Sequence, residues 1–135
     1  MIGVVVVTHG QLATELVNAA EAIVGDLQHF AAVSIGWHDD VDDARDEIQR
    51  AIGRFQNVGV LVLTDMFGGT PTNLSLTCLE TDKVEIVTGV NLPMLIKLAG
   101  LRESNDLLAV ARELRETGRN AIHVASDLMR GEPKH

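Results

Sequence analysis

The chain has 135 residues, of which 46% are hydrophobic and 22% charged, and this favours one globular domain, 1–135, with a single core. Its net charge of −8 and its 3% of aromatic residues argue against a nucleic acid partner, although acidity suits a protein partner with a basic patch. One cysteine excludes an internal disulfide and no apolar tract could span a bilayer, so we expect a cytoplasmic protein without stable membrane insertion.

Strand and helix patterns alternate along the chain. Three apolar, β-branched runs are typical of parallel strands covered on both faces, and a fourth, more alternating run favours a position nearer the sheet edge. These four runs are residues 2–8, 30–35, 58–64 and 83–88. Helical patterns follow them at residues 10–25, 41–55, 70–78, 91–99 and 104–118. The alternation predicts an α/β fold with a doubly wound, mostly parallel sheet and helices on both faces.

Capping residues mark several of the predicted helix starts. Asp39 or Asp40 precedes the second helical pattern, and Asn91 precedes the fourth. Thr70 is the predicted N-cap of the third helix, because Pro71 suits the position that follows a cap.

The C-terminal part of the chain has a weaker pattern. Residues 120–125 (NAIHVA) predict a short late strand, and the polar residues 130–135 predict a mobile tail.

Two polar stretches follow the first and third strand patterns. Thr8-His9-Gly10 ends the first, and Thr64-Asp65 leads from the third into a glycine-rich turn. If these two strands are neighbours, with the second strand beyond the first, the sheet has its switch point between them. Open parallel sheets bind ligands at that point. The pattern therefore places His9 and Asp65 across one crevice.

These residue types suit phosphoryl transfer, although each of them alone also suits a loop or a turn. A carboxylate that accepts a hydrogen bond from one imidazole nitrogen aims the other as a nucleophile. We predict this relation between His9 and Asp65, with phosphate oxygens held by backbone N–H groups and a hydroxyl. The predicted phosphate-binding residues are Gly10, Gly68, Gly69 and Thr70. Neither a P-loop nor a G-x-G-x-x-G motif is present, so we expect no nucleotide cofactor.

Other side chains have a structural explanation that competes with a functional one. His38 and the nearby Asp39, Asp40, Asp42 and Asp43 have metal-ligand chemistry, but a helix start accounts for these acids, and we predict no metal. Trp37 suits either a surface anchor near the site or simple packing. The remaining predictions are peripheral or strand-surface positions for His29 and His123 and an inert core position for Cys78.

Three blocks of sequence, in this order, carry a resemblance to a known family. They are VVVTHG at 5–10, LTDMFGGTPTN at 63–73 and GVNLPML at 89–95. Together they resemble the enzyme IIA component of the mannose type in the bacterial phosphoenolpyruvate-dependent sugar phosphotransferase system. The phosphoryl-donor subunit of dihydroxyacetone kinase has a related fold, and the second and third blocks fit that branch less well.

The resemblance implies a phosphocarrier. His9 would accept a phosphoryl group from the histidine phosphocarrier protein and pass it to a IIB component, with Asp65 as its hydrogen-bonded partner. Gly69 and Thr70 would contact the phosphoryl oxygens. The resemblance also implies a homodimer in which 120–125 is exchanged as the final, antiparallel edge strand. An alternative is a regulatory module whose phosphorylation state a partner protein reads without sugar transport, and a small-molecule or metal-binding domain is a third. The sugar is not readable from these residues.

Overall fold

The computed structural model describes residues 1–55, 57–101 and 103–131. The strands are β1 (Ile2–His9), β2 (Phe30–Ile35), β3 (Gly59–Thr64) and β4 (Val84–Thr88). The helices are α1 (Leu12–Val24), α2 (Val41–Gly53), α3 (Gly69–Leu76), α4 (Leu92–Ala99), α5 (Leu107–Asn120) and α6 (Ala125–Met129). Within these ranges no helix is both long and apolar enough to cross a membrane.

The four strands form one parallel sheet in the order β2-β1-β3-β4. Val7 of β1 pairs with Val33 of β2 on one side and with Thr64 of β3 on the other. The chain first winds outward from β1 to β2 and then returns past β1 to β3, so the switch point lies between β1 and β3. This arrangement confirms the predicted α/β fold and the predicted neighbours of the first strand.

Both faces of the sheet are buried. Val4 and Val6 of β1 face a core formed with α1, α4 and α5, while Val5 and Val7 face a core formed with α2 and α3. All four valines are at most 1% exposed. Full burial of such a side chain contributes about 1.5–3 kcal/mol, which explains why the first strand pattern is apolar without alternation.

Two of the three predicted caps are confirmed. Asp40 caps α2 by accepting a hydrogen bond from Asp42 N (2.7 Å), and Asn91 caps α4 through Met94 N (3.2 Å). The prediction for α3 is wrong, since its N-cap is Gly68 and Thr70 lies inside the first turn. The positive φ of Gly68, 90°, lets the chain turn into the helix two residues earlier than the threonine signal indicated.

The bounds predicted for α5 are also wrong. Its N-cap is Asp106, whose carboxylate accepts from Ala109 N (3.1 Å), while Ser104 only accepts from Asp106 N (3.3 Å). The helix continues through Gly118 to Asn120. A Cβ at Gly118 would lie 2.7 Å from the Met94 sulfur, so this glycine allows close packing of α5 on α4 and does not terminate the helix.

The late strand predicted at 120–125 is not formed in the single chain. Asn120 is the last residue of α5, residues 121–124 pair with no strand of the described chain, and α6 begins at Ala125. A strand requires a partner for its backbone hydrogen bonds, and residues 1–55, 57–101 and 103–131 offer none to this segment. The predicted tail has α6 directly before it, and residues 132–135 lie outside the described residues.

The prediction for His29 is wrong as well. His29 is only 4% exposed, its backbone oxygen accepts from Val4 N (2.9 Å), and its ring packs edge-on against Phe30 with centroids 4.5 Å apart. It therefore extends the β1–β2 ladder by one residue and is buried with it. His123 is exposed, as predicted, and Cys78 is half-buried against the core beneath α2 and α3.

Candidate functional site

His9 is the last residue of β1, and hydrogen bonds on both sides of it fix the turn that follows. Thr8 Oγ1 accepts from Ala13 N (2.7 Å), which holds the start of α1 against the strand end. Gly10 adopts φ 57° and donates its N–H to the Ile35 carbonyl (2.8 Å). His9 is thereby held at the carboxyl-end edge of the sheet with 36% of its side chain exposed.

Asp65 immediately follows β3 and contacts His9 twice. Its Oδ2 accepts from the His9 backbone N–H (3.0 Å) and lies 2.8 Å from His9 Nδ1. An ionised carboxylate can only accept, so Nδ1 carries the proton and donates it. In the neutral ring, Nε2 then has the free lone pair. The structure thus brings together the two side chains that the sequence placed across one crevice.

Opposing effects set the pKa of Asp65. Burial raises this pKa, but the hydrogen bonds from the backbone and ring of His9, together with charge attraction to that ring, hold it below its ordinary value. Oδ1 is buried and has no hydrogen-bond partner among residues 1–55, 57–101 and 103–131, so Oδ2 makes both bonds to His9. Asp65 is therefore a carboxylate at neutral pH and a suitable acceptor for Nδ1–H.

Thr72 fixes the loop between Asp65 and α3. It is 1% exposed, its hydroxyl donates to the Met66 carbonyl (2.5 Å), and it lies 2.7 Å from the hydroxyl of Thr64. These bonds tie the end of β3, the loop and the first turn of α3 to one another. Sequence reasoning missed this role, although a threonine at a core-facing position of a helix is a usable signal for it.

Gly69 lies against the reactive edge of the His9 ring. A Cβ at this position would be 3.0 Å from Cε1 and 3.2 Å from Nε2, and the backbone adopts φ 81°. Gly69 and Thr70 are the first residues of α3, whose N-cap makes no side-chain hydrogen bond within the described chain. Uncapped N–H groups at a helix N-terminus attract anions, so an anionic group on Nε2 would have donors beside it.

The four predicted phosphate-binding residues differ in their position relative to Nε2. Gly69 is in contact range of the ring, and Thr70 lines a cavity of about 200 Å³ together with His9. Gly68 provides the turn into α3, and a side chain there would meet nothing within 4 Å. Gly10 already donates its N–H to Ile35, so its part in the site is the turn after His9.

The loop after β2 reaches the other side of His9. The Trp37 ring centroid lies 6.2 Å from that of His9, at an interplanar angle of 37°, and Trp37 is 89% exposed. Of the two positions that the sequence left open, the structure places Trp37 at the rim of the site.

The acidic residues beside Trp37 bond to backbone groups. Asp39 Oδ2 accepts from Gly36 N (2.7 Å), and Asp40 caps α2. In the part of the chain that the structure describes, no three histidine, cysteine, aspartate or glutamate side chains come together as metal ligands.

Fold and site together define a class of protein. It is a doubly wound α/β domain that holds a histidine–aspartate pair at the switch point of its sheet, with a free ring nitrogen facing a helix N-terminus. The family model EIIA-man, described as PTS system fructose IIA component, matches residues 3–115. The chain belongs to this family of phosphotransferase system components.

Relatives of known function agree with this assignment. The chain is 31% identical over 132 residues to the PTS system mannose-specific EIIAB component of Escherichia coli (strain K12), with 90% of the chain but only 38% of that relative covered. It is 27% identical over 129 residues to the PTS system fructose-specific EIIA component of Bacillus subtilis, with 94% and 88% covered. The crystal structure of phosphotransferase system component EIIA from Streptococcus agalactiae superimposes with a TM-score of 0.83 at 27% identity, covering 93% of this chain and 98% of that one.

Proposed function

We propose that this chain is a phosphoryl carrier of a sugar phosphotransferase system, with His9 as the residue that is phosphorylated. His9 takes the group from a histidine phosphocarrier protein and passes it to a IIB component. The observation that carries the proposal is the 2.8 Å contact between His9 Nδ1 and Asp65 Oδ2, because it leaves Nε2 as the nucleophile. Residues 1–135 then act as one IIA phosphocarrier domain.

The transfer balances without a cofactor. The Nε2 lone pair of His9 attacks phosphorus, the phosphorus–nitrogen bond of the donor's phosphohistidine breaks, and the bonding electron pair returns to the donor ring. The Nδ1 proton stays on the ring, where it is donated to Asp65, and the negative charge of Asp65 stabilises the positive charge that the ring of His9 gains. The N–H groups at the start of α3 receive the phosphoryl oxygens, with the Thr70 hydroxyl beside them. The same steps in reverse release the group to the IIB component.

The location of the chain follows from this chemistry. A donor protein that is itself charged from phosphoenolpyruvate works where that metabolite is made, so we place the chain in the cytoplasm. The site handles only a phosphoryl group and two proteins, and the sugar meets other components of the system.

We also propose a homodimer that exchanges residues 120–125. The outer edge of β4 and the adjacent face of α5 border a groove of about 300 Å³. The candidate strand has exposed apolar side chains, Ile122 at 77% and Val124 at 63%. A second copy could supply this segment to the open edge as an antiparallel strand, which would satisfy the backbone groups and bury the apolar side chains.

Intact mass measurement tests the carrier function. The purified chain is incubated with phosphoenolpyruvate, enzyme I and the histidine phosphocarrier protein, in parallel with a His9→Ala variant. We expect one acid-labile phosphate on the wild type and none on the variant, with equal circular dichroism for both. Addition of the IIB component should then remove the phosphate. A wild type that stays unmodified with active donor proteins would contradict the proposal, and a phosphate that IIB cannot remove would favour the regulatory module.

A further inference from the structure

Two buried hydroxyl groups of α3 make hydrogen bonds of different kinds. Thr72 and Ser75 are 1% and 0% exposed, and buried hydroxyl groups require hydrogen-bond partners. Ser75 Oγ donates to the Pro71 carbonyl (2.7 Å), four residues earlier, which is the usual bond of a serine inside a helix. Thr72 Oγ1 instead donates to the Met66 carbonyl (2.5 Å), outside the helix. Burial alone explains the bond of Ser75, whereas the bond of Thr72 connects α3 with the loop after β3.

The Thr72 hydroxyl also bonds to the other residue that flanks Asp65 in the sequence. Thr72 has one hydroxyl proton, which goes to Met66, so the Thr64 hydroxyl at 2.7 Å must donate to Thr72 Oγ1. Two hydroxyl groups thus form a chain from the end of β3 to the loop, and in such a chain each bond strengthens the next. Thr72 therefore holds the residue before Asp65 and the residue after it.

Asp65 depends on its backbone for the direction of its side chain. Both hydrogen bonds of its carboxylate go to His9, and the buried Oδ1 has no partner in the part of the chain that the structure describes. Within the same part of the chain, the bond from Thr72 is the single hydrogen bond that the backbone of Met66 and Phe67 makes. Loss of that bond would free the loop, and the carboxylate would turn with it.

The first turn of α3 is held by the same hydroxyl. Gly69 begins this turn beside the His9 ring, where a Cβ would lie 3.2 Å from Nε2. Thr72 lies three residues further along the helix. Its hydroxyl therefore fixes two groups relative to each other, the carboxylate at Nδ1 and the N–H groups near Nε2.

We propose that Thr72 is a positioning residue for phosphoryl transfer at His9. Its hydroxyl holds the loop after β3 against the first turn of α3, and this keeps the Asp65 carboxylate aimed at Nδ1. The proton then stays on Nδ1, and Nε2 keeps the lone pair that attacks phosphorus. The effect of Thr72 on the transfer rate rests on the proposed carrier function, whereas its effect on the ring exists before any phosphoryl group arrives.

The position of the proton on the His9 ring tests this role without a phosphoryl donor. Nitrogen-15 NMR distinguishes a protonated ring nitrogen from one with a lone pair, and the His9→Ala variant assigns the signals. At alkaline pH, where histidine rings are neutral, we expect the proton on Nδ1 in the wild type and in Thr72→Ser, which keeps the hydroxyl. Thr72→Val has nearly the same shape without the hydroxyl, and we expect a mixture of both ring forms. Ser75→Ala, the control for a buried hydroxyl of the same helix, should keep the proton on Nδ1.

Phosphoramidate, a small molecule that transfers a phosphoryl group to histidine, measures the consequence for the chemistry. Thr72→Val should lower the rate of His9 phosphorylation about tenfold, as the loss of a residue that orients a metal ligand typically does. Thr72→Ser and Ser75→Ala should react at the wild-type rate, although Thr72→Ser loses a buried methyl group and should unfold at lower urea concentration. Rate and stability then change in different variants, which a purely structural role of Thr72 does not predict.

A double variant tests the same role without an unpaired hydroxyl. Thr72→Val alone leaves the Thr64 hydroxyl buried without its acceptor, whereas Thr64→Val combined with Thr72→Val removes both members of the pair. The double variant should show the same mixture of ring forms and the same loss of rate. A wild-type ring in both valine variants would overturn the positioning role, as would a Thr72→Ser variant as slow as Thr72→Val. A wild type that neither phosphoramidate nor the phosphocarrier protein modifies would overturn the carrier function, while the ring signals would still decide whether Thr72 positions Asp65.

Discussion

The crevice between β1 and β3 and the segment after α5 differ in how much of their structure the single chain supplies. In the crevice, residues of the same chain make the contacts that fix the site: Asp65 binds Nδ1 of His9, and Thr72 holds the loop that follows Asp65. The segment 120–125 has exposed apolar side chains and no strand beside it in the described chain. The contacts of the crevice therefore lie within one chain, whereas the proposed exchange would give the segment its strand partner on a second chain.

Two adjacent glycines give the largest expected effect on the crevice. Gly68 and Gly69 both have positive φ, 90° and 81°, so alanine at either position costs about 1–3 kcal/mol of backbone strain. A new Cβ at Gly69 also approaches His9 Nε2 to 3.2 Å, while one at Gly68 meets nothing within 4 Å. Phosphoramidate is a small phosphoryl donor that needs no docking surface, so the rate at which it phosphorylates His9 reports on the crevice alone. We expect Gly69→Ala to lower this rate about 100-fold, which is the typical loss when reacting groups are misplaced.

Gly68→Ala is the matched control for that experiment. Both variants should lose similar free energy of unfolding in urea, while only Gly69→Ala loses most of its rate. Equal rates in the two variants would mean that Gly69 is needed for its backbone conformation alone, and that the close approach to the ring has no chemical importance.

The second prediction concerns the C-terminal segment. Replacing both Ile122 and Val124 by serine should weaken self-association by at least tenfold, measured by sedimentation equilibrium across a range of concentrations, because the exchanged strand would bury two polar side chains in place of apolar ones. The rate at which phosphoramidate phosphorylates His9 should stay at the wild-type value, since the contacts that fix His9 and the loop after Asp65 lie within one chain. Ile23→Ser, which removes another exposed apolar side chain (59%) on α1, should self-associate as the wild type does. A monomeric wild type would contradict the proposed exchange.

This contrast also explains what the sequence could predict. The four strands were predicted within one residue of their bounds and Asn91 was predicted as a cap, because apolar period and capping chemistry are local. His9 and Asp65 could be placed together because parallel strands end at the same edge of the sheet. The predicted start of α3 was wrong because the residues next to Gly68 in the sequence do not reveal its backbone angles.

Features that depend on distant residues were not predictable in the same way. The burial of His29 follows from its pairing with Val4, and the position of Trp37 follows from the path of one loop relative to another. The segment 120–125 has a strand pattern, but the pattern does not say where its partner edge lies. Each of these outcomes depends on tertiary or quaternary packing, which overrides local preference.

The smallest expected effect is a pH dependence within the crevice. The folded-state pKa of Asp65 is below its ordinary value, because the hydrogen bonds from His9 and the attraction to its ring outweigh burial. A carboxylate whose pKa is lower in the folded state stabilises the fold at pH values above its unfolded pKa, about 3.9. That stabilisation is lost as the pH falls through the lower folded-state pKa. The free-energy gap between the wild type and Asp65→Asn should therefore narrow from pH 5 to pH 2. We expect only a small change, since His9 is more than a third exposed and solvent screens its attraction to Asp65.

Urea unfolding at several acidic pH values measures the difference in free energy of unfolding between the wild type and Asp65→Asn. Repeating the comparison in the His9→Ala variant separates the effect of the His9 ring from that of the His9 backbone N–H. In His9→Ala the ring contact is lost, but the backbone N–H at position 9 still points at Asp65 Oδ2. The narrowing should therefore become smaller in that background without disappearing. A gap that widens as the pH falls would mean that burial controls the pKa of Asp65. The carboxylate would then be held by the fold against its own preference, and its bond to Nδ1 would be weaker than the 2.8 Å distance indicates.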